Sequence, residues 1–284
     1  MPHANINGFK MHYDLAGEGG GLVLLHGLGS SREDWQLQTP VFAQSWRVIA
    51  PDCRGHGDSD GPPGPYSIKL FASDVEALLE SLDVSQAHVL GISMGGLVAQ
   101  QLALDAPQRV KSLVLVNTFS HLSISGVGAL FALLRRAIIL QFFGMEQIGR
   151  FIGRQLFPKA EQEELRRITA QRWAQNDKKA YRASSKAVLR FNVTERLGEI
   201  SCPTLIISGA NDRTVAPRHL EVLQRGIAGS RLVVIPDSTH ATPIDQPQAF
   251  NAAVLEFLAS VRGMKMGGQD EHLARPSGVA GMAG

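Results

Sequence analysis

Short, wholly apolar runs alternate with longer stretches whose apolar positions recur every 3.6 residues along most of this chain. Leu22-Val23-Leu24-Leu25, Trp46-Arg47-Val48-Ile49-Ala50, Ala87-His88-Val89-Leu90, Ser112-Leu113-Val114-Leu115-Val116, Thr204-Leu205-Ile206-Ile207 and Leu232-Val233-Val234-Ile235 read as strands. Continuous apolar strands belong to parallel sheets with both faces covered. Ahead of them, Asn7-Gly8 between two alternating segments predicts a β-hairpin. Helices are predicted around Trp35, over residues 67–84, over Leu97–Leu104 before Pro107, and through Phe250, Ala253, Val254, Phe257 and Leu258. This alternation predicts an α/β fold: a mostly parallel, doubly wound sheet.

The rhythm breaks once. From Phe119 to about Ile200 the pattern is helical throughout, for example Leu130-Phe131-Leu133-Leu134 and Glu161 to Trp173, and strands resume only after Cys202. A helical block between two strands of one sheet is read as a cap over their carboxyl ends. The expected organisation is therefore a core of residues 1–118 and 201–262, a helical cap of residues 119–200, and a polar, glycine-rich tail of residues 263–284 that is expected to be disordered. No internal repeat is visible.

Composition changes this picture little. The 284 residues, 44% hydrophobic and 19% charged with a net charge of +2, suit a soluble globular protein and give no reason to invoke nucleic acid. The first residues have neither the basic nor the apolar region of a secretory signal, and the longest apolar run, Leu130–Leu140, is interrupted by Arg135 and Arg136, which argues against a membrane span. Cys53 and Cys202 lack metal-ligand spacing and are expected to be reduced in a cytoplasmic protein. Charge does separate: residues 119–200 hold 14 Lys and Arg against 7 Asp and Glu, the remainder 14 against 19. The basic residues either solvate the outer helix faces or draw an anionic substrate inward. Oligomeric state leaves no mark on the sequence.

The chemistry gathers around Gly91-Ile92-Ser93-Met94-Gly95-Gly96, a serine between strand and helix with glycines two positions away on each side. This is the nucleophile-elbow pattern: the turn strains the serine backbone, and side chains at the glycines would collide with the adjoining strand and helix. A serine hydroxyl needs a base oriented by a third group, and in this architecture the order is Ser, acid, His. Asp212, after the strand at 204–207, and His240, after the next strand, both fall at the carboxyl edge that Ser93 occupies. Asn117 ends another strand but is an amide. Asp237 is expected in a turn, Asp245 near the start of the last helix, and His56 in a structural role. The oxyanion site needs two backbone N–H groups. Met94 supplies one, and Leu28, in His26-Gly27-Leu28-Gly29, the other; His26 is read as shaping that loop. Leu28 and Met94 side chains, with Phe119, Phe143 and Trp173, are candidate substrate contacts, and Phe131, Leu134 and Phe142 are further aromatic or aliphatic candidates in the same block.

With these residues in place the chain resembles the α/β-hydrolase superfamily over residues 5–262, through His26-Gly27-Leu28-Gly29, Asp52-Cys53-Arg54-Gly55-His56-Gly57-Asp58-Ser59, the elbow, Gly209-Ala210-Asn211-Asp212 and His240. The resemblance implies a Ser93, His240, Asp212 triad, a helical cap, no cofactor and no metal. It is closest to carboxylesterases and 3-oxoadipate enol-lactonases, through Gly91–Gln100, which implies hydrolysis of a small-molecule ester or lactone through an acyl-enzyme. Carbon–carbon hydrolases of meta-cleavage products are also similar, but usually carry Asn before the nucleophile and Trp after the histidine, where this chain has Ile92 and Ala241. Ser238-Thr239-His240 also departs from the more usual Gly-His. Perhydrolase or haloperoxidase activity and a non-catalytic ligand receptor use the same scaffold. A dinucleotide-binding oxidoreductase would explain Gly27-Leu28-Gly29 followed by Asp52, but Arg32 stands where its third glycine belongs.

Overall fold

The computed structural model describes residues 2–122, 139 and 141–270. Its centre is one eight-stranded sheet. The strands are β1 (His3–Ile6), β2 (Phe9–Ala16), β3 (Gly21–Leu25), β4 (Arg47–Pro51), β5 (Ala87–Ile92), β6 (Val110–Val116), β7 (Thr204–Gly209) and β8 (Arg231–Ile235). They lie in the order β1-β2-β4-β3-β5-β6-β7-β8. From β4 onward every pairing is parallel, while β1 and β2 run antiparallel at one edge. The β1–β2 hairpin turns on Asn7 and Gly8, both at positive φ (47° and 81°), the conformation of the tight two-residue turn that Asn-Gly favours.

Side chains alternate across the apolar strands. Leu22, Leu24, Leu90, Val114 and Val116 enter one core with Trp35, Phe42, Phe250, Val254 and Phe257. Val23, Leu25, Val89, Leu113 and Leu115 enter the other with Phe71, Val75, Leu78, Leu97, Leu102 and Leu223. Both faces are therefore covered, as the continuous apolar runs predict. The helices concerned are α1 (Thr39–Phe42), α2 (Ile68–Ser81), α3 (Met94–Asp105), α7 (Pro217–Gly226), α8 (Thr242–Asp245) and α9 (Pro247–Asp270). Ser67 caps α2 by accepting a hydrogen bond from the Leu70 amide.

Between β6 and β7 stand α4 (Met145–Leu156), α5 (Glu163–Ala174) and α6 (Lys178–Arg190). A small cluster of Met145, Ile148, Trp173 and Tyr181 joins them. The two ends of this segment leave and re-enter side by side, through a bridge between His121 and Asn192 and a Val193 N–H to Ser120 carbonyl bond of 3.0 Å. Those ends are extended, whereas the sequence predicts helix from Phe119 on. The Leu130–Leu134 helix lies outside the described residues.

One further expectation changes. The helix around Trp35 is a 3₁₀ turn, Arg32–Trp35, followed by the separate α1. Ser31 and Pro40 punctuate it, and Asp34 and Arg32 are committed to side-chain bonds elsewhere. Helix α9 is continuous to Asp270; the rest of the tail of residues 263–284 lies outside the described residues.

Strand order places the candidate site. β4 pairs on one side of β3 and β5 on the other, so the loops after β3 and β5 diverge and leave a crevice at the strands' carboxyl ends, the usual ligand position in an open α/β sheet. The crossing is tight. A Cβ on Gly95 would lie 2.1 Å from the Leu25 carbonyl oxygen, and one on Gly91 would lie 2.2 Å from that of Gly95. A Gly95→Ala chain is therefore expected to lose about 3 kcal/mol or more in urea unfolding, or to fail to fold. Wild-type stability in that variant would contradict the close approach of α3 to β3.

Candidate active site

Ser93 connects β5 to α3 with φ 53° and ψ −115°, a conformation that L-residues avoid. Two hydrogen bonds and the glycines beside it hold it there. Its N–H donates to the Val116 carbonyl (2.9 Å), its carbonyl accepts from Thr118 Oγ1 (2.8 Å), and the neighbouring glycines leave room for the turn. The side chain stands at the start of α3, and the Met94 N–H is the first of that helix's unpaired donors.

Asp212 and His240 meet across the loops after β7 and β8. The His240 Nδ1 lies 2.8 Å from Asp212 Oδ2, with the carboxylate 1% exposed. The other carboxylate oxygen accepts the amides of Thr214 (2.7 Å) and Val215 (3.2 Å), so the acid is aimed by its own turn. With Nδ1 donating to the carboxylate, the Nε2 of the ring is the nitrogen free to take a proton.

The loop after β3, which carries Leu28, is shaped by a buried histidine. His26 Nε2 accepts the Cys53 N–H (3.0 Å), which puts the proton on Nδ1, and Nδ1 donates to the Gly27 carbonyl (2.7 Å). The Ser30 amide bonds the same carbonyl at 3.2 Å. In a trans peptide the C=O and the following N–H point in opposite directions, so fixing the Gly27 carbonyl directs the Leu28 N–H. Burial first, then the nearby Arg32, lower the His26 pKa to about 4 and keep the ring neutral; burial and His26 lower that of His56 to about 3. His56 donates from Nδ1 to the Arg54 carbonyl (3.1 Å) and sits beside His26, with ring centroids 5.1 Å apart. Arg32 is buried among Asp14, Asp52 and Asp58. Asp52 is thereby committed to an internal ion pair, in place of the ribose contact that a dinucleotide site would need.

Ser93, His240, Leu28 and Met94 all line one cavity of about 500 Å³. Phe119 and Trp173 line it too, together with Ile152, Leu156, Leu165, Ile168 and Tyr181 from the inserted segment. Phe143 does not. It is 48% exposed just ahead of α4, where its carbonyl accepts Lys178 Nζ (2.8 Å), and Phe142 is 77% exposed. The aromatic pair precedes a helix whose buried face begins at Met145, and so turns outward. Phe131 and Leu134 lie outside the described residues. Of the basic residues of the insert, Arg172 alone lines the cavity among the described residues, and it is paired with Glu33 (2.8 Å) and Asp34 (3.8 Å). Arg150, Arg167 and Arg196 pair with carboxylates on outer helix faces. No group of three or more His, Cys, Asp or Glu that could hold a metal is formed among the described residues. Among them, also, no helix is long and apolar enough to cross a membrane.

Several positioning residues were not legible beforehand. Asn117, at φ 44° after β6, donates from Nδ2 to the His240 carbonyl (2.7 Å) and to Thr242 Oγ1 (2.8 Å), while Oδ1 accepts the Gly209 N–H (3.0 Å). One buried amide thus ties the strand before Asp212 to the loop of His240. Asp245, in α8, accepts the Thr239 N–H at 2.8 Å and receives Gln162 Nε2 of the insert at 2.8 Å. Asp237 lies in the expected turn, at φ 53°, and pairs with Lys159.

These features match an established family. A model of the alpha/beta hydrolase fold family matches residues 21–247, and the chain belongs to that family. It is a hydrolase. It is 34% identical over 236 residues to 3-oxoadipate enol-lactonase 2 of Acinetobacter baylyi, covering 82% of this chain and 86% of that protein. It is 33% identical over 264 residues to the 2-hydroxy-6-oxononadienedioate/2-hydroxy-6-oxononatrienedioate hydrolase of Klebsiella pneumoniae, covering 88% and 91%. The crystal structure of the enol-lactonase from Burkholderia xenovorans LB400 superposes with a TM-score of 0.84 at 29% identity, covering 91% of this chain and all of that one.

The buried neutral histidines set an acid limit on stability. Unfolded histidine titrates near 6.5, above the folded values of about 4 and about 3. The unfolded chain therefore binds more protons below pH 6.5, and stability falls as pH drops toward 4, by up to about 1.4 kcal/mol per pH unit for each ring. Burial holds the Asp34 carboxyl up at about 6 and raises that of Asp52, so both take protons first in the folded chain and oppose this fall. The check is therefore a difference: urea midpoints of a His56→Gln chain should fall less steeply from pH 7 to 4.5 than those of the wild type.

Proposed function

We propose that this chain hydrolyses carboxylic esters, lactones included, through an acyl-enzyme on Ser93. The observation that carries the reading is the Asp212–His240 pair opening onto the same cavity as the strained Ser93 elbow. Ser93 Oγ adds to the ester carbonyl while His240 Nε2 takes its proton, and Asp212 holds the ring and stabilises the imidazolium. The Leu28 and Met94 amides bind the oxyanion, where a single donor contributes about 3–4 kcal/mol to the transition state. The tetrahedral adduct collapses, the C–O bond to the alkoxy group breaks, and His240 delivers the proton to the departing alcohol. Water then attacks the acyl-enzyme with His240 as base, releasing the acid and restoring Ser93. Helices α4–α6 act in this reading as the cap that forms much of the pocket, with Phe119 and Trp173 among the acyl contacts.

The cavity's lining supports an uncharged acyl group. Its inserted side is mostly aliphatic and aromatic, and Arg172 is already matched by Glu33 and Asp34. A carboxylate buried there unpaired would cost several kcal/mol. This favours neutral medium-length esters or lactones over carboxylated enol-lactones, although the enol-lactonase likeness motivates testing both. Carbon–carbon hydrolysis is a second reading, motivated by the Klebsiella relative; Ile92 and Ala241 in place of the usual Asn and Trp weigh against it.

Two measurements test the proposal. Ser93→Ala should fold as wild type and lose about 10⁴-fold or more in kcat on p-nitrophenyl esters; retained turnover would overturn the assignment of Ser93. In a panel at one pH, a neutral medium-chain ester should exceed its carboxylate-terminated counterpart by at least about tenfold in kcat/KM. The reverse order would favour an anionic lactone, and turnover of a vinylogous diketone alone would favour carbon–carbon hydrolysis.

A further inference from the structure

The loop that carries the Leu28 amide is held from two sides. From the core, His26 fixes the Gly27 carbonyl. From the inserted helices, the Asn176 side chain, in the connection between α5 and α6, donates from Nδ2 to the Gly29 carbonyl at 2.8 Å across 147 residues of sequence. Its own backbone is fixed by an N–H bond to the Trp173 carbonyl (3.1 Å). Gly29 turns at φ 76°, and the space where a Cβ would stand is filled by Trp173 (2.8 Å) and Tyr181 (2.9 Å). One residue before Trp173, Arg172 bridges to Glu33 and Asp34, and Asp34 accepts the Ser30 hydroxyl. The end of α5, the start of α6 and the connection between them therefore hold the Leu28 loop and the 3₁₀ turn after it through a hydrogen bond, an aromatic contact and an ion pair.

We propose that Asn176 is a positioning residue for the oxyanion site, and that the inserted helices complete that site as well as enclosing substrate. The inference rests on the serine-hydrolase reading. Gly27 and Gly29 flank Leu28, and each carbonyl is tied to a different part of the molecule. Without the Gly29 tie, the peptide bearing the Leu28 N–H is held at the Gly27 carbonyl alone, by His26 and the Ser30 amide, and the glycines on either side of Leu28 leave the loop freedom to shift. The Gly29 tie removes that freedom before substrate arrives, and preorganised donors act because they need no rearrangement as charge develops. The donor itself stays in Asn176 variants, so the effect is smaller than deletion of an oxyanion-hole group.

The test uses the full-length chain with Asn176→Ala and the near-isosteric Asn176→Asp, which keeps the shape of the side chain and replaces its donor by an acceptor. On a p-nitrophenyl ester, both should lose about tenfold in kcat with KM within twofold of wild type, and affinity for a boronic acid that forms a tetrahedral adduct should fall in parallel with kcat. Thermal melting verifies that the variants are folded; should Asn176→Ala not fold, Asn176→Asp carries the test. Unchanged kcat and boronic-acid affinity in a folded variant would overturn the proposal, as would a rise in KM alone, which would make Asn176 a substrate contact. Wild-type turnover that survives Ser93→Ala would instead sink the serine-hydrolase reading itself. Ser93-dependent turnover indifferent to Asn176 would sink only this inference.

Discussion

The backbone at Ser93 is the constraint on which the rest of the site depends. A residue held at φ 53° and ψ −115° costs on the order of 1–3 kcal/mol and persists only where its surroundings leave no alternative. Here α3 approaches the ends of β3, β5 and β6 so closely that Gly91, Gly95 and Gly96 have no room for side chains, and Val116 and Thr118 clamp the N–H and the carbonyl of Ser93. The sheet therefore supplies the strain energy, and the serine hydroxyl is delivered to the crevice where the loops after β3 and β5 part. Without that strain the side chain would not stand between the Leu28 loop and the helix N-terminus.

Around this fixed point, polar groups that would be costly alone are arranged in matched sets. Asp212 is saturated by two turn amides and His240. Asn117 directs its side-chain hydrogen bonds to Gly209, ahead of Asp212, and to the segment of His240 and Thr242. His26 is kept neutral by burial so that it can accept from Cys53 and donate to Gly27 at the same time. Buried polar groups of this kind stabilise only when satisfied, and once satisfied they specify one geometry. The site is thus rigid on its core side, while the insert adds ties to the Leu28 loop through Asn176 and to the His240 loop through Lys159 and Gln162.

What was legible in the sequence follows from the range of the interactions. Strand character shows in local apolar runs, the hairpin in Asn7-Gly8, and the elbow in glycine spacing, because each is enforced by atoms within a few residues. Placing Asp212 and His240 at one sheet edge needed only the strand ends that precede them. The sequence shows Asn117 only as an amide unsuited to be the acid, because its value lies in meeting residues 209, 240 and 242, which no local pattern encodes. Phe143 and Trp173 were indistinguishable as aromatic residues of a helical block; the packing of α4 on α5 turns one to solvent and the other into the cavity. The surplus of basic residues is ambiguous for the same reason, since only the fold shows that Arg150 and Arg167 pair on outer faces and that Arg172 is matched by Glu33 and Asp34.

The central claim is that Ser93 forms a covalent acyl-enzyme under the control of His240. It is tested most directly by treating the wild-type chain and a His240→Ala chain with a fluorophosphonate and mapping the adduct by peptide mass spectrometry. The account predicts stoichiometric phosphonylation of Ser93 in the wild type, with loss of esterase activity in step, and labelling slowed by orders of magnitude without His240. An adduct on another residue, or inactivation that leaves Ser93 unmodified, would contradict it.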